Sequence, residues 1–147
     1  LAPGLSESEA ARHVDGTVRL VRDADYQARR GMTAAITASG TATLENALLG
    51  IPMVVCYRLS TVSYWITRFL IRVPHISLAN ILAGRAVVPE VIQGDVTPER
   101  LAAPVLEWLD DPSKRLAVRT ALLKVRADLG APGAADRAAR AVLAMAA

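Results

Sequence analysis

The sequence predicts an α/β fold, a parallel sheet with helices on both faces that ends in several helices. The first supporting observation is that short β-type runs alternate with helix-type runs. The second is a strand of small residues that runs straight into a Ser-Gly-Thr turn and a helix. The third is that the 147 residues are 52% hydrophobic, which is enough for one core of ordinary size.

The elements follow in chain order. Thr17 to Val21 (TVRLV) reads as a strand, and Asp23 is placed to cap a helix that includes the polar run Gln27 to Arg30 and stops at Gly31. Thr33 to Ala38 (TAAITA) reads as a buried strand. The helix after Ser39-Gly40-Thr41 carries Leu44, Ala47 and Leu48 on one side and stops at Gly50, and Pro52 then opens the strand Met53 to Tyr57 (MVVCY). A helix over about Thr61 to Val73 places Trp65, Ile66, Phe69, Leu70 and Val73 on a broad apolar face, with Arg68 and Arg72 one turn apart, and Pro74 ends it. His75 to Gly84 reads as a loop. Pro89 restricts any strand within Ala86 to Gln93 to a short or edge piece.

Three helices close the chain. Thr97 caps the first, with Pro98 at its first position, a stripe of Leu101, Val105 and Leu109, and a kink expected at Pro104. Asp111 and Pro112 repeat the device for the second, where Val118, Leu122, Val125 and Leu129 recur at helical spacing as far as Gly130. The third is the Ala-rich run from Ala134, with Ala135, Ala138, Val142 and Met145.

Composition narrows the function classes. Against 14 acidic residues stand 17 basic ones, for a net charge of +3. All the basic residues except Lys114 and Lys124 are arginines, and they form no run, which argues against a nucleic-acid-binding stripe. Cys56 is the single cysteine and reads as strand core. With only His13 and His75 beside it, neither a disulfide framework nor a Cys/His zinc cluster is available, so no metal site is expected. No stretch reaches the roughly 18 uncharged apolar residues of a membrane-spanning helix. The start at Leu1-Ala2-Pro3-Gly4, without an initiator methionine, reads as that of a fragment.

Chemistry concentrates at Ser39 to Glu45. A tight Ser-Gly-Thr turn between a buried strand and a helix aims backbone N–H groups and the positive end of the helix dipole outward at the carboxyl edge of the sheet, where a phosphate would bind. Gly40 permits close backbone approach, Thr41 and Thr43 add hydroxyl donors, and Glu45 is placed to accept both hydroxyls of a ribose. The same turn also serves as an ordinary helix N-cap in proteins without a ligand. Arg58, directly after a strand, and Arg85, after Gly84, are candidates for contacting an anion. His75 has no acidic partner in sequence range. The face around Trp65 and Phe69 suits either core packing or an anionic membrane.

Ser39-Gly-Thr-Ala-Thr-Leu-Glu45, then Gly50-Ile-Pro-Met-Val-Val55, Tyr57-Arg58, Ser77-Leu-Ala-Asn-Ile-Leu-Ala-Gly-Arg85 and Pro89-Glu-Val-Ile-Gln93, occur in an order and at separations that resemble lipid-A-disaccharide synthase. That family comprises inverting glycosyltransferases with two Rossmann-like domains. The resemblance runs from about Val18 to the C-terminus and implies that residues 1–147 are the C-terminal, nucleotide-sugar-binding domain of a GT-B type enzyme. The domain would be incomplete at its N-terminus, and the acceptor domain with the general base would lie outside it.

The implied reaction transfers diacylglucosamine from its UDP carrier to diacylglucosamine 1-phosphate, forming the β-1,6 disaccharide of lipid A. Ser39, Gly40, Thr41, Thr43, Leu44 and Glu45 match the family's pyrophosphate- and ribose-facing segment. Asn80 matches an asparagine at the cleft, and Glu90 and Gln93 match its Pro-Glu-x-x-Gln pattern near the donor sugar. The implied setting is cytoplasmic, peripheral to the inner membrane. Its partners are a UDP-diacylglucosamine donor and a lipid acceptor, with a homodimer left open and no cofactor. Thr33 stands where the family usually has aspartate and Ala79 where proline is common, both read as local variation. The Gly-Ser-Arg phosphate loop and the acceptor domain are absent, and the fragment alone is therefore expected to be inactive. The alternatives are another UDP-sugar glycosyltransferase of the same architecture and a non-catalytic UDP-binding module.

Overall fold

A computed structural model describes residues 6–22, 25–60 and 74–145. In chain order these residues form α1 (Glu7–Ala11), α2 (Gln27–Arg30), β1 (Ala35–Ala38), α3 (Thr41–Leu49), β2 (Met53–Tyr57), α4 (Leu78–Ala83), β3 (Glu90–Ile92), a 3-10 turn (Gln93–Asp95), α5 (Pro98–Asp110), α6 (Pro112–Asp128) and α7 (Ala134–Met145). The described strands pair in parallel in the order β1-β2-β3, with Thr37 opposite Val55 and Val55 opposite Glu90.

β2 is the centre because its sequence leaves it nowhere else to go. Met53, Val54 and Val55 have no exposed surface, as expected of an apolar run covered on both sides. Met53 and Val55 pack with Ala47 of α3, Ala79 of α4, Val88 and Leu122 of α6. Val54 faces the opposite side and packs with Val91 and with Trp108 of α5. Alternation along one strand thus divides the helices between two faces, and each large side chain fully withdrawn from water contributes about 1.5–3 kcal/mol. β3 has three residues and lies at the edge of the described sheet, in keeping with Pro89 before it. The Pro89 carbonyl still serves the ladder by accepting from Val55 N at 2.9 Å.

The terminal helices begin where side-chain oxygens take up their first amides. Thr97 accepts from Arg100 N at the start of α5, and Asp111 accepts from Ser113 N and Lys114 N at the start of α6. α5 runs without interruption through Pro104. The buried residue near its C-terminus is Trp108, whereas Leu109, expected on the core stripe, is half exposed. In α6, Leu122 and Val125 are buried, while Leu129 just beyond its end is partly exposed, at 44%.

Other elements differ from expectation. Thr17 to Val21 forms no strand. Asp15 Oδ1 takes the Thr17 amide at 3.0 Å and the Thr17 hydroxyl at 2.5 Å, a local turn that competes with extended pairing. The β1 strand begins at Ala35 rather than Thr33. The stretch read as a loop contains α4, capped by Ser77, whose hydroxyl accepts from Asn80 N, and closed by Gly84. On α3 the buried residues are Thr43, Asn46 and Ala47 rather than a leucine stripe. Cys56 is half-buried. The cap at Asp23 and the helix at Thr61 to Val73 lie outside the described residues.

Gly50 and Gly84 both end helices with positive φ, at +67° and +64°. A Cβ on Gly50 would lie 3.0 Å from Leu123 Cδ2 and 3.1 Å from its Cγ, whereas one on Gly84 would meet nothing within 4 Å. We expect Gly84→Ala to cost about 1–2 kcal/mol, the backbone strain alone, and Gly50→Ala about 1 kcal/mol more, by urea unfolding. Equal losses would contradict the packing of α6 against the end of α3.

Candidate functional site

The carboxyl edge of the sheet brings together the ends of β1, β2 and β3. β1 is followed by Ser39 and Gly40, whose φ of +152° and ψ of −163° suit glycine. Gly40 is exposed, and a Cβ there would meet nothing within 4 Å, so the turn is open to a ligand. As N-cap of α3, Gly40 has no side chain to cap the helix. The Thr41 and Ala42 amides therefore have no side-chain cap, and they lie at the positive end of the helix dipole. Thr41 is exposed beside them.

A polar network holds this turn from below. Ser39 Oγ donates to the Ile76 carbonyl at 2.9 Å. Thr43, with no exposed surface, donates its hydroxyl to the Gly40 carbonyl at 2.7 Å and accepts from Leu78 N at 3.2 Å. The turn after β1 is in this way tied to the start of α4. Glu90 secures that start from β3. One of its oxygens accepts from Ser77 N, Ser77 Oγ and Asn80 Nδ2 at 2.9, 2.7 and 2.9 Å, and the other accepts from Ile76 N at 3.0 Å.

Asn80, 1% exposed, donates also to the Val88 carbonyl and accepts from Val87 N and Val88 N. That set uses the full bonding capacity of its amide. Gln93 clamps Leu59 after β2, accepting from its amide at 2.6 Å and donating to its carbonyl at 3.2 Å.

Burial alone would raise the Glu90 carboxyl, but the hydrogen bonds from Ser77, Ile76 and Asn80 together outweigh it and hold the group below its ordinary value of 4.5. Glu90 is thus an ionised anchor.

The remaining candidates take no part in this network. Glu45, one turn into α3, is part-exposed, with its Oε2 2.5 Å from Arg29 Nη1 and its Oε1 3.3 Å from the Tyr26 hydroxyl. Leu44 is half-buried on the same turn of helix. Arg58 is exposed and donates to the Val96 carbonyl at 3.1 Å. Arg85 is exposed and has no ion pair or hydrogen bond among the described residues. His75 is half-buried near the turn.

Sequence reasoning missed Tyr26, Arg29 and Ser77. The Ser77-x-x-Asn80 cap was a legible signal for Ser77, but nothing in the local pattern announced that α2 would lie beside Glu45. A cavity of about 840 Å³ bordered by Leu48, Leu123, Arg126 and Arg137 lies toward the opposite, amino edge of the sheet, where α3 ends. Among the described residues no group of three or more His, Cys, Asp or Glu side chains is arranged to hold a metal ion.

The family profile described as lipid-A-disaccharide synthetase matches residues 6–145. The chain belongs to this family. Lipid-A-disaccharide synthetases are GT-B glycosyltransferases, and the parallel sheet with helices on both faces agrees with that architecture. Similar relatives include the lipid-A-disaccharide synthase of Syntrophus aciditrophicus (strain SB), 53% identical over 122 residues, which are 83% of this chain and 32% of the relative. That of Anaeromyxobacter sp. (strain K) is 47% identical over 137 residues, 93% of this chain and 36% of the relative. That of Geobacter metallireducens is 43% identical over 148 residues, 99% of this chain and 38% of the relative. The chain spans about a third of the length of these lipid-A-disaccharide synthases.

Because the Glu90 carboxyl is depressed in the folded chain, its contribution to stability is fully present above the unfolded value, near pH 4.5, and is lost as pH falls through the lower folded value. We expect Glu90→Gln to cost about 1–2 kcal/mol at pH 7 and to flatten the acid limb of the stability profile, by urea unfolding between pH 3 and 7. An unchanged acid limb would contradict the anchoring role of Glu90.

Proposed function

We propose that the chain is the donor-binding portion of a lipid-A-disaccharide synthase, which transfers 2,3-diacylglucosamine from UDP to 2,3-diacylglucosamine 1-phosphate. The observation that carries this reading is the exposed Gly40-Thr41 turn opening α3 at the carboxyl edge of a parallel sheet, with the Glu45 carboxylate one turn into the helix. Nucleotides bind open parallel sheets at that edge, and a helix N-terminus is the part of the backbone that favours an anion.

In the reaction so read, the acceptor 6-hydroxyl oxygen forms a bond to the anomeric carbon of the donor. The bond from that carbon to the UDP phosphate oxygen breaks, and the hydroxyl proton passes to a general base outside this chain. Charge develops on the departing diphosphate. The amides of Thr41 and Ala42 and the α3 dipole stabilise it where it forms, while Glu45 holds the ribose hydroxyls. Arg58, directly after β2, adds positive charge at the rim, and Arg85, exposed after α4, is a second candidate for contacting an anion. Ser39, Thr43, Asn80, Glu90 and Gln93 position the loops, since their polar atoms are directed to protein partners.

With a third of its relatives' length, the chain alone is read as binding the donor without transferring it. Among the described residues no helix is long and apolar enough to cross a membrane. Attachment to the cytoplasmic face of the inner membrane is part of the same proposal, and exposed Val142, Leu143 and Met145 on α7 are compatible with it.

Calorimetric titration of the chain with UDP tests the donor site. We expect binding that weakens roughly 10- to 100-fold in Glu45→Ala, the loss of hydrogen bonds to a charged group. No response to millimolar UDP, or an affinity indifferent to Glu45→Ala, would contradict the reading.

A further inference from the structure

We infer that Arg29 and Tyr26 are positioning residues that hold the Glu45 carboxylate for a ribose diol, so that the preference for ribonucleotides is set partly from α2. The inference rests on the donor-site reading of Glu45 and extends it to residues that reading does not use.

The geometry is specific. Arg29 Nη1 engages Oε2 at 2.5 Å, and the Tyr26 hydroxyl donates to Oε1 at 3.3 Å, so each carboxylate oxygen has a donor of its own. The Arg29 guanidinium carbon also lies 5.4 Å from the centroid of the Tyr26 ring, and the two donors therefore brace each other. Tyr26 reaches this place from a left-handed backbone, φ +63° and ψ +14°, as the residue preceding α2. A non-glycine residue held in that region is uncommon and needs surroundings that fix it.

A carboxylate offers about four acceptor positions, two on each oxygen. With one on each oxygen occupied by protein, one on each remains, which is the number of acceptors that the two hydroxyls of a vicinal diol require. The two contacts also fix a side chain that would otherwise sample several rotamers on the helix surface. Both partners are part-exposed, with side chains 29% and 32% accessible, so the pair adds little to folding stability, and its main consequence is orientation.

The test compares UDP with 2′-deoxy-UDP by calorimetry in the wild-type chain and in Arg29→Gln, Arg29→Lys, Tyr26→Phe and Glu45→Ala. We expect the wild type to prefer UDP by about tenfold, the equivalent of one hydrogen bond to a charged group. Arg29→Gln is expected to reduce the preference to about threefold or less while leaving 2′-deoxy-UDP affinity nearly unchanged, with Arg29→Lys restoring part of it and Tyr26→Phe giving a smaller loss. Unchanged thermal unfolding of these variants would separate positioning from a general loss of structure.

A preference that survives Arg29→Gln but is abolished by Glu45→Ala would overturn this inference and leave the ribose role of Glu45 standing. A preference untouched by Glu45→Ala would overturn the ribose role and this inference together. Tighter UDP binding in Arg29→Gln would show that Arg29 blocks the carboxylate rather than positions it, and an equal fall for both nucleotides would show a merely structural role.

Discussion

The carboxylate of Glu90 is the constraint on which the carboxyl edge depends. A charge placed between a sheet and a helix is tolerable only if its lone pairs are filled, and here Ile76 N, Ser77 N, Ser77 Oγ and Asn80 Nδ2 fill them. Those donors belong to the segment that starts α4, so satisfying the charge fixes where α4 begins. Ser39 and Thr43 then fasten the turn after β1 to the same segment through Ile76 and Leu78. The chain from β3 to α4 to the β1 turn is continuous, and no apolar contact supplies an equivalent directional restraint.

This arrangement separates two kinds of residue that a motif lists side by side. Thr43 and Asn80 are buried, and together with Ser39, Glu90 and Gln93 they spend their polar atoms on protein partners. Gly40, Thr41 and Glu45 lie at the accessible surface of the same turn and helix. A run such as Ser-Gly-Thr-Ala-Thr-Leu-Glu therefore mixes an anion-facing backbone with its own support. Rigidity at the turn matters chemically, because amides already aimed at a departing diphosphate need no reorganisation as charge develops.

Much of the fold was legible because it follows from strong local rules. Gly31, Gly50 and Pro52 punctuate the chain where the sequence places them, the caps at Thr97 and Asp111 hold, and the apolar run from Met53 to Val55 becomes the central strand. The failures have physical causes. Thr17 to Val21 has β-type composition, but Asp15 captures the Thr17 amide in a turn. The α4 helix is only six residues long, too short for its periodicity to stand out, and Ser77 and Asn80 gain their roles from Glu90, a long-range partner. The family was legible from ordered motifs, whereas the arrangement of Tyr26, Arg29 and Glu45 depends on a separation of 16 to 19 residues that no local pattern encodes.

The most direct test of the account is to follow backbone amide chemical shifts of the chain as UDP is added. The account predicts that the largest changes fall on Gly40, Thr41 and Ala42, with smaller ones on Glu45 and Leu59. Changes centred instead on Gly130 to Ala134, beside the cavity at the opposite edge, would contradict the claim that the turn opening α3 receives the nucleotide.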